Sequence, residues 1–366
     1  MTEHKAPLIH LSKRKTLPWY SVWRIRILAI LLSLIVCGIL TQALTGLNPI
    51  AVYKTMFYGA FGTTRKTWTT LQEIALLHLV ALALAPAFRM RFWNLGGEGQ
   101  ILIGGLVAAT CMILLGGKMP NFALLALMSV LSIAAGAVWA FIPAFFKSRW
   151  NTNETLFTLM MNYVATQLVA YFIIVWEVPR GSGKIGIINQ QTEAGWFPAL
   201  FGQRYLLNIV AALVVALLML YYMRVSKHGF ELTVVGESER TARYIGIKVE
   251  KIITRTLILS GAVCGLVGLL LVASTNHTIT TTITDGRGFT AVMVAWLAKF
   301  DPLMMILSSG LLIVLKKGAS EISTAYTLNQ SFGDILTGII LFFIIGCEFF
   351  IMYSVHFRKS SDKKDK

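Results

Sequence analysis

Residues 252–273 read IITRTLILSGAVCGLVGLLLVA, with no charge from Leu257 onward. A hydrocarbon core of about 30 Å is crossed by roughly 20 helical residues, so this run is long enough to span one. Gly261, Gly265 and Gly268, with Ala262 beside them, form the kind of small-residue ridge on which one membrane helix packs closely against another. The stretch reads as a buried span in a bundle of spans.

Working outward, further apolar runs occur at 27–44, 68–88, 101–115, 122–146, 156–176, 205–223, 286–298, 302–315 and 333–355. The fold class expected is therefore an all-α polytopic membrane protein with about ten transmembrane helices. At 1.5 Å per residue, 101–115, 286–298 and 302–315 reach only about 20–23 Å. They are either half-helices or need non-apolar flanks to complete a crossing. The first run follows Lys13-Arg14-Lys15, Arg24 and Arg26 as a signal peptide would, but it is too long and lacks a clean small-residue cleavage site, so it reads as an uncleaved span.

Composition agrees. Of 366 residues, 56% are hydrophobic and 14% charged, and the mean hydropathy is +0.68. So few charges cannot clothe a water-exposed surface, which excludes an ordinary soluble enzyme and a disordered chain. The net charge of +16 is explained by location rather than by a nucleic-acid partner. With ten alternating crossings, one side carries 23 Lys and Arg and the other 10. The basic side is expected to be cytoplasmic, with both termini there, facing anionic membrane lipid. The expected organisation is a cytoplasmic basic tail at 1–26, a transmembrane domain at 27–355 and a cytoplasmic tail at 356–366. Cys37, Cys111, Cys264 and Cys347 each sit inside an apolar run and read as buried thiols, not a disulfide framework or metal site. The six histidines show no ligand spacing.

Three connections exceed a turn. Residues 45–67 are mildly amphipathic (Val52, Met56, Phe57, Phe61) and suggest a helix lying on the outer surface. Residues 177–204, with Pro179, Gly181, Gly183, Gly186 and Pro198, read as an external loop. Residues 224–251 are cytoplasmic in this topology.

Two motifs stand out. The first is Asn94-Leu95-Gly96-Gly97-Glu98-Gly99-Gln100. Three glycines in four positions should interrupt the helix, with a restart near Gln100. Glu98 then either caps that helix N-terminus or rims a solute pathway, since irregular backbone at membrane depth is tolerated only against protein or a water-filled cavity. Thr284-Asp285-Gly286-Arg287-Gly288-Phe289 is a faint echo opening another short segment. Glycine-interrupted short segments at matching points of inverted halves point to a midplane transport site. The second motif is Val235-Gly236-Glu237-Ser238-Glu239-Arg240-Thr241-Ala242-Arg243-Tyr244-Ile245-Gly246-Ile247. Ser238 reads as a helix start, Glu239 and Arg243 as an i,i+4 pair, and Gly246 as a stop. The product is a short helix that offers Ala242 and Ile245 as a docking knob, or else a plain solvated linker.

Together with Ile101-Leu102-Ile103-Gly104-Gly105, Asn153-Glu154-Thr155-Leu156, Met161-Asn162-Tyr163, Leu259-Ser260-Gly261-Ala262 and Gly288-Phe289-Thr290, these motifs resemble the permease family of bacterial ABC importers for nucleosides and simple sugars. They stand in family order from about residue 70 to 345. Many relatives have Phe-Asn where this chain has Trp93-Asn94, and the N-terminal tail is unmatched. The resemblance implies a type II importer permease fold with inverted half repeats and short broken helices. It also implies two cytosolic ABC ATPase domains that bind ATP and magnesium, a second and different permease chain, and an external substrate-binding lipoprotein, with this chain a multi-pass protein of the bacterial inner membrane. Within it, 236–247 is the coupling segment, with Glu239, Ala242, Arg243, Tyr244, Ile245, Gly246 and Ile247 against the ATPase.

Asn94, Glu98, Gln100, Asn162 and Phe289 are the candidate pathway residues. Gln72, Glu73, His78, Gln167, His277 and Glu348 are further polar residues inside apolar runs, where ionisable groups usually face a bundle interior or cavity; Asn162 reads equally as interhelical glue. No Gly-x-x-x-x-Gly-Lys-[Ser/Thr] occurs, so nucleotide chemistry belongs to a partner, no cofactor or metal is expected, and no catalytic residue is assigned. The spans hold no dense charge cluster, so the expected solute is uncharged. An ion-coupled secondary transporter is the alternative, and it lacks the paired membrane carboxylates it would need. A membrane enzyme lacks a polar cluster at one interface.

Overall fold

The structure is a computed structural model that describes residues 9–14 and 17–357. Most of the expected 356–366 tail, and residues 1–8, 15 and 16 of the expected 1–26 tail, lie outside the described residues. In chain order the elements are β1 (Ile9–Lys13), α1 (Trp19–Thr45), α2 (Pro49–Phe61), α3 (Thr64–Arg89), α4 (Gly97–Leu115), α5 (Asn121–Trp150), α6 (Glu154–Trp176) and α7 (Leu206–Arg224). Then come α8 (Lys227–Glu237), α9 (Glu239–Tyr244), α10 (Val249–Leu270) with a wider-wound last turn (Leu271–Asn276), α11 (Arg287–Leu297), α12 (Pro302–Ala325), α13 (Gln330–Met352) and β2 (Tyr353–Phe357).

Among the described residues, nine helices are long and apolar enough to cross a membrane: α1, α3 to α7, α10 with its last turn, α12 and α13. Each apolar run of the sequence falls largely in one helix, but two of the three short ones are completed by polar flanks. The run at 101–115 starts at Gly97, and the run at 302–315 continues through Lys316 and Lys317 to Ala325. Only α11, with 11 residues, stays short. The first span likewise begins well before residue 27, at Trp19.

The chain forms two compact units. In the unit of Thr67–Ile313, α3, α4 and α10 are the most buried spans. Lipid tails are as apolar as leucine, so helices associate by close packing of small residues. A Cβ at Gly104 of α4 would stand 2.5 Å from the Cα of Gly265, and one at Gly136 of α5 would stand 2.8 Å from the same atom. The Gly261–Gly265 ridge thus seats α10 against α4 and α5, and Gly268 faces Gly105. The ion pair Arg224–Asp301, 2.7 Å, sets the start of α12 beside the end of α7.

The other unit holds the described residues up to Lys66 and from Val314 onward. α1 packs on α13, and Glu348 of α13, which could have extended outward from the end of its helix, pairs with Arg26 of α1 at 2.6 Å. β1 and β2 pair antiparallel, a two-stranded addition to the all-helical expectation. The helix expected within 45–67 is α2, capped by Asn48, whose Oδ1 accepts the Ile50 N–H at 2.9 Å. Val52, Met56 and Ala60 form its buried stripe, while Phe57 and Phe61, expected on the same face, are exposed one position round the helix.

Candidate functional site

The chain is interrupted at the Gly-rich motif as expected: α3 ends at Arg89, and α4 restarts at Gly97, three residues before Gln100, because these glycines also permit close approach to neighbouring backbone. The Asn94 Oδ1 accepts the Gly96 N–H (3.1 Å) and a Gln100 Nε2 proton (3.3 Å), while its Nδ2 donates to Ser260 Oγ (3.0 Å). The Asn162 Oδ1 accepts the Gly99 N–H (2.9 Å), and its Nδ2 donates to the Leu95 carbonyl (2.8 Å). Two asparagines therefore satisfy two of the orphan donors that open α4, the Gly96 and Gly99 N–H groups.

Glu98 does not cap its own helix. Its Oε1 accepts the Gly288 N–H at 3.1 Å, in the first turn of α11. A Cβ on Gly288 would lie 2.5 Å from the Glu98 backbone nitrogen, and one on Gly97 would lie 3.4 Å from the Gly288 Cα. The two Gly-x-Gly motifs meet, and the N-termini of α4 and α11 abut. Each helix start carries about half a positive charge, and the Glu98 carboxylate sits between them, its Oε2 buried without a hydrogen-bond partner. Arg287, the adjacent buried cation, donates to the carbonyls of Thr284 (3.0 Å) and Ile283 (3.3 Å) and pairs with Glu73 of α3.

Beside this junction lies a cavity of about 450 Å³, lined by Glu98, Asn162, Tyr163, Thr166, Thr282 and Phe289, among others. Its size is within the roughly 300–1,000 Å³ range of small-molecule sites. Three of the five candidate pathway residues, Glu98, Asn162 and Phe289, face it; Asn94 and Gln100 are buried behind, holding the loop. Sequence reading passed over the threonines at 281, 282 and 284 and over Tyr163 as lining groups, because neither threonine content nor a lone tyrosine marks a pathway without the fold.

The remaining polar residues disperse. Gln72 donates to Thr275 Oγ1, which also receives Asn208 Nδ2 at 3.1 Å. His277 lies beyond the last turn of α10, stacked under Trp196 at 3.7 Å between centroids. The loop after α6 is sewn down there: the Ile188 N–H donates to the His277 carbonyl (2.8 Å) and the Phe197 N–H to the Ala273 carbonyl (3.0 Å).

The second motif forms α8 and α9. Ser238 Oγ accepts the Thr241 N–H (3.2 Å) to start α9, and Gly246 ends the turn at φ +85°. The expected Glu239–Arg243 pair is absent among the described ion pairs. Both residues lie within α9, but Arg243 turns away and reaches across to Glu250 in the first turn of α10, 2.6 Å away. Ala242, read as part of the exposed knob, is fully buried in a cluster with Met90, Phe92, Leu232, Val235 and Leu257. Tyr244, 92% exposed, and Ile245, 54% exposed, project instead. Gly236 presses on the Arg89 carbonyl at the end of α3, which fixes the base of the segment.

Residues 67–345 match the family described as branched-chain amino acid transport system / permease component. The chain is 28% identical over 361 residues to a glucose ABC transporter permease protein of Haloferax volcanii, covering 95% of this chain and 93% of that protein. It is 30% identical over 329 residues to the guanosine ABC transporter permease protein of Bacillus subtilis, covering 87% and 91%. To the nucleoside ABC transporter permease protein of Lactococcus lactis it is 25% identical over 316 residues, covering 84% and 86%.

Proposed function

Because the chain belongs to the family of branched-chain amino acid transport system permease components, we propose that its cavity at the α4–α11 junction is the passage for an uncharged, ring-bearing, hydroxyl-rich solute, a nucleoside or simple sugar. The chain is a multi-pass membrane permease subunit of an ATP-driven importer, and ATP hydrolysis belongs to a separate subunit.

The cavity lining carries this reading. The threonine hydroxyls, the Asn162 amide and the Glu98 carboxylate offer hydrogen bonds to hydroxyls and ring nitrogens, and Tyr163 and Phe289 offer faces for stacking. The names of the guanosine and glucose relatives are in keeping with that chemistry. A short helix whose N-terminus opens beside a cavity, as that of α11 does here, is a form that transport sites take in broken-helix membrane folds.

The partners in this reading are two cytosolic ABC ATPase domains, a second, different permease chain and an external binding lipoprotein. The Lys and Arg asymmetry supports cytoplasmic termini and a cytoplasmic α8–α9 segment. On that side, Tyr244, Ile245, Arg243 and Glu239 form the surface gripped by an ATPase, Gly246 and Ile247 complete the turn, and Ala242 anchors it from within. Closure of the ATPases on ATP then moves this anchored segment and, through Gly236 on the end of α3, the loop that leads into α4 and Glu98.

The test is reconstitution of the chain with its partner ATPase, second permease and binding protein in proteoliposomes loaded with ATP. Radiolabelled guanosine or glucose is expected to accumulate only when ATP and the ATPase are present. Accumulation by the chain alone under an ion gradient would instead support the secondary-transporter reading.

A further inference from the structure

Outside the transport unit, α1 and α13 enclose a groove of about 720 Å³. Its walls are apolar along most of their length, with Leu28, Leu32, Phe342 and Phe350 all exposed. Its floor at Gly346 is open: a Cβ there would meet nothing within 4 Å. At one end the character changes to Arg14 and Arg24. The neighbouring Arg26 and Glu348 satisfy each other, and neither Arg14 nor Arg24 enters an ion pair among the described residues. The backbone of Arg14 is held in place by its N–H donating to the Met352 carbonyl at 2.9 Å. Trp23, exposed near the same end with the Arg26 guanidinium 5.6 Å from its ring centroid, marks the level of a membrane interface.

The geometry points to a binding site for one anionic phospholipid, its phosphate between Arg14 and Arg24 and an acyl chain laid along the groove over Gly346. Charge complementarity selects this occupant. An apolar trough that ends in two cations fits a chain with an anionic head, whereas a zwitterionic lipid gains nothing from the second arginine and a helix of another protein would bury both cations. The inference concerns the α1–α13 unit alone and is independent of which solute the permease carries.

The full-length chain, purified in mild detergent, is titrated with phosphatidylglycerol and with phosphatidylcholine and examined by native mass spectrometry. Two arginines near a headgroup favour the anionic lipid by on the order of thirtyfold, and that preference is expected in the one-lipid adduct. Arg14→Gln with Arg24→Gln should reduce the preference to near unity. Gly346→Leu, which fills open space on a helix and so spares the fold, should reduce binding of both lipids. Equal binding of the two lipids to the wild type, or a preference that survives the double substitution, overturns the site. So does a dimer that Gly346→Leu abolishes, which would assign the groove to a second copy of the chain.

Discussion

The carboxylate of Glu98, in the first turn of α4, accepts the backbone N–H of Gly288, in the first turn of α11, at 3.1 Å. The two residues are 190 positions apart, and the bond joins the start of one helix to the start of another. A single carboxyl group thereby joins two helix starts beside the cavity, and neither α4 nor α11 can pull away without exposing an unpaired donor.

Glu98→Ala should therefore lower stability by about 1–3 kcal/mol, the cost of a buried donor left unmade, seen as a reduced melting temperature in detergent. Glu98→Gln keeps an acceptor and should melt close to the wild type. It should still lower ATP-driven uptake about tenfold, the scale of one partly buried charge at a helix end. Wild-type uptake by Glu98→Gln would show that the oxygen matters there and the charge does not.

The abutting helices also fix which glycines are replaceable. Gly288→Ala places a methyl 2.5 Å from the Glu98 nitrogen and should destabilise by about 1–3 kcal/mol, as overpacking does. Gly338→Ala, also helical but with nothing within 4 Å, should be neutral or stabilising by up to about 1 kcal/mol. Equal melting temperatures for the two variants would refute the close contact.

Much of this was legible before the fold. The apolar runs mark the spans because membrane crossing is a matter of length and polarity, and the Gly261–Gly265 ridge declares a packing face wherever it lies. Gly97-Glu98-Gly99 and Gly286-Arg287-Gly288 are recognisable as related interruptions. That they meet, and that Glu98 serves the other helix, is a contact across 190 residues that local pattern cannot encode. The same holds for Glu73, whose partner Arg287 is 214 positions away, and for Glu348 with Arg26. The burial of Ala242 is hidden in the sequence for a simpler reason: a six-residue helix has too few turns for periodicity to tell its buried side from its exposed one.

The Trp196–His277 stack makes the loop after α6 sensitive to acid. Burial, and then the Arg204 charge, hold the His277 imidazole below its usual range, while Glu193 pulls weakly the other way. The folded chain thus binds a proton less readily than the unfolded one. The contribution of His277 is complete above about pH 6.5 and is lost as the pH falls through that value toward the lower folded one. Hydrogen exchange at the Ile188 amide, which donates to the His277 carbonyl, should lose protection between pH 7.5 and 5 after correction for intrinsic rates. His277→Phe, which keeps an aromatic ring but cannot be charged, should flatten that profile.

The α8–α9 segment separates anchoring from docking, and substitutions should separate them too. Ala242 is fully buried among Leu232, Val235 and Leu257, so Ala242→Asp strands a carboxylate in an apolar cluster and should cost about 3–5 kcal/mol, seen as loss of folded protein in detergent. Ile245 and Tyr244 are exposed, so Ile245→Asp and Tyr244→Asp should leave the melting temperature within about 0.5 kcal/mol of the wild type. If the exposed pair is the surface an ATPase grips, these two variants should still insert yet fail to retain the ATPase on affinity purification, and ATP-driven uptake should fall with that retention. Arg243→Ala tests the link between the two roles. It removes the bond to Glu250 that ties α9 to α10 together with one side chain of the gripped surface, and should lower ATP-driven uptake by more than it lowers retention of the ATPase. Full retention of the ATPase and unchanged uptake in Ile245→Asp and Tyr244→Asp together would mean that the partner binds elsewhere on the chain.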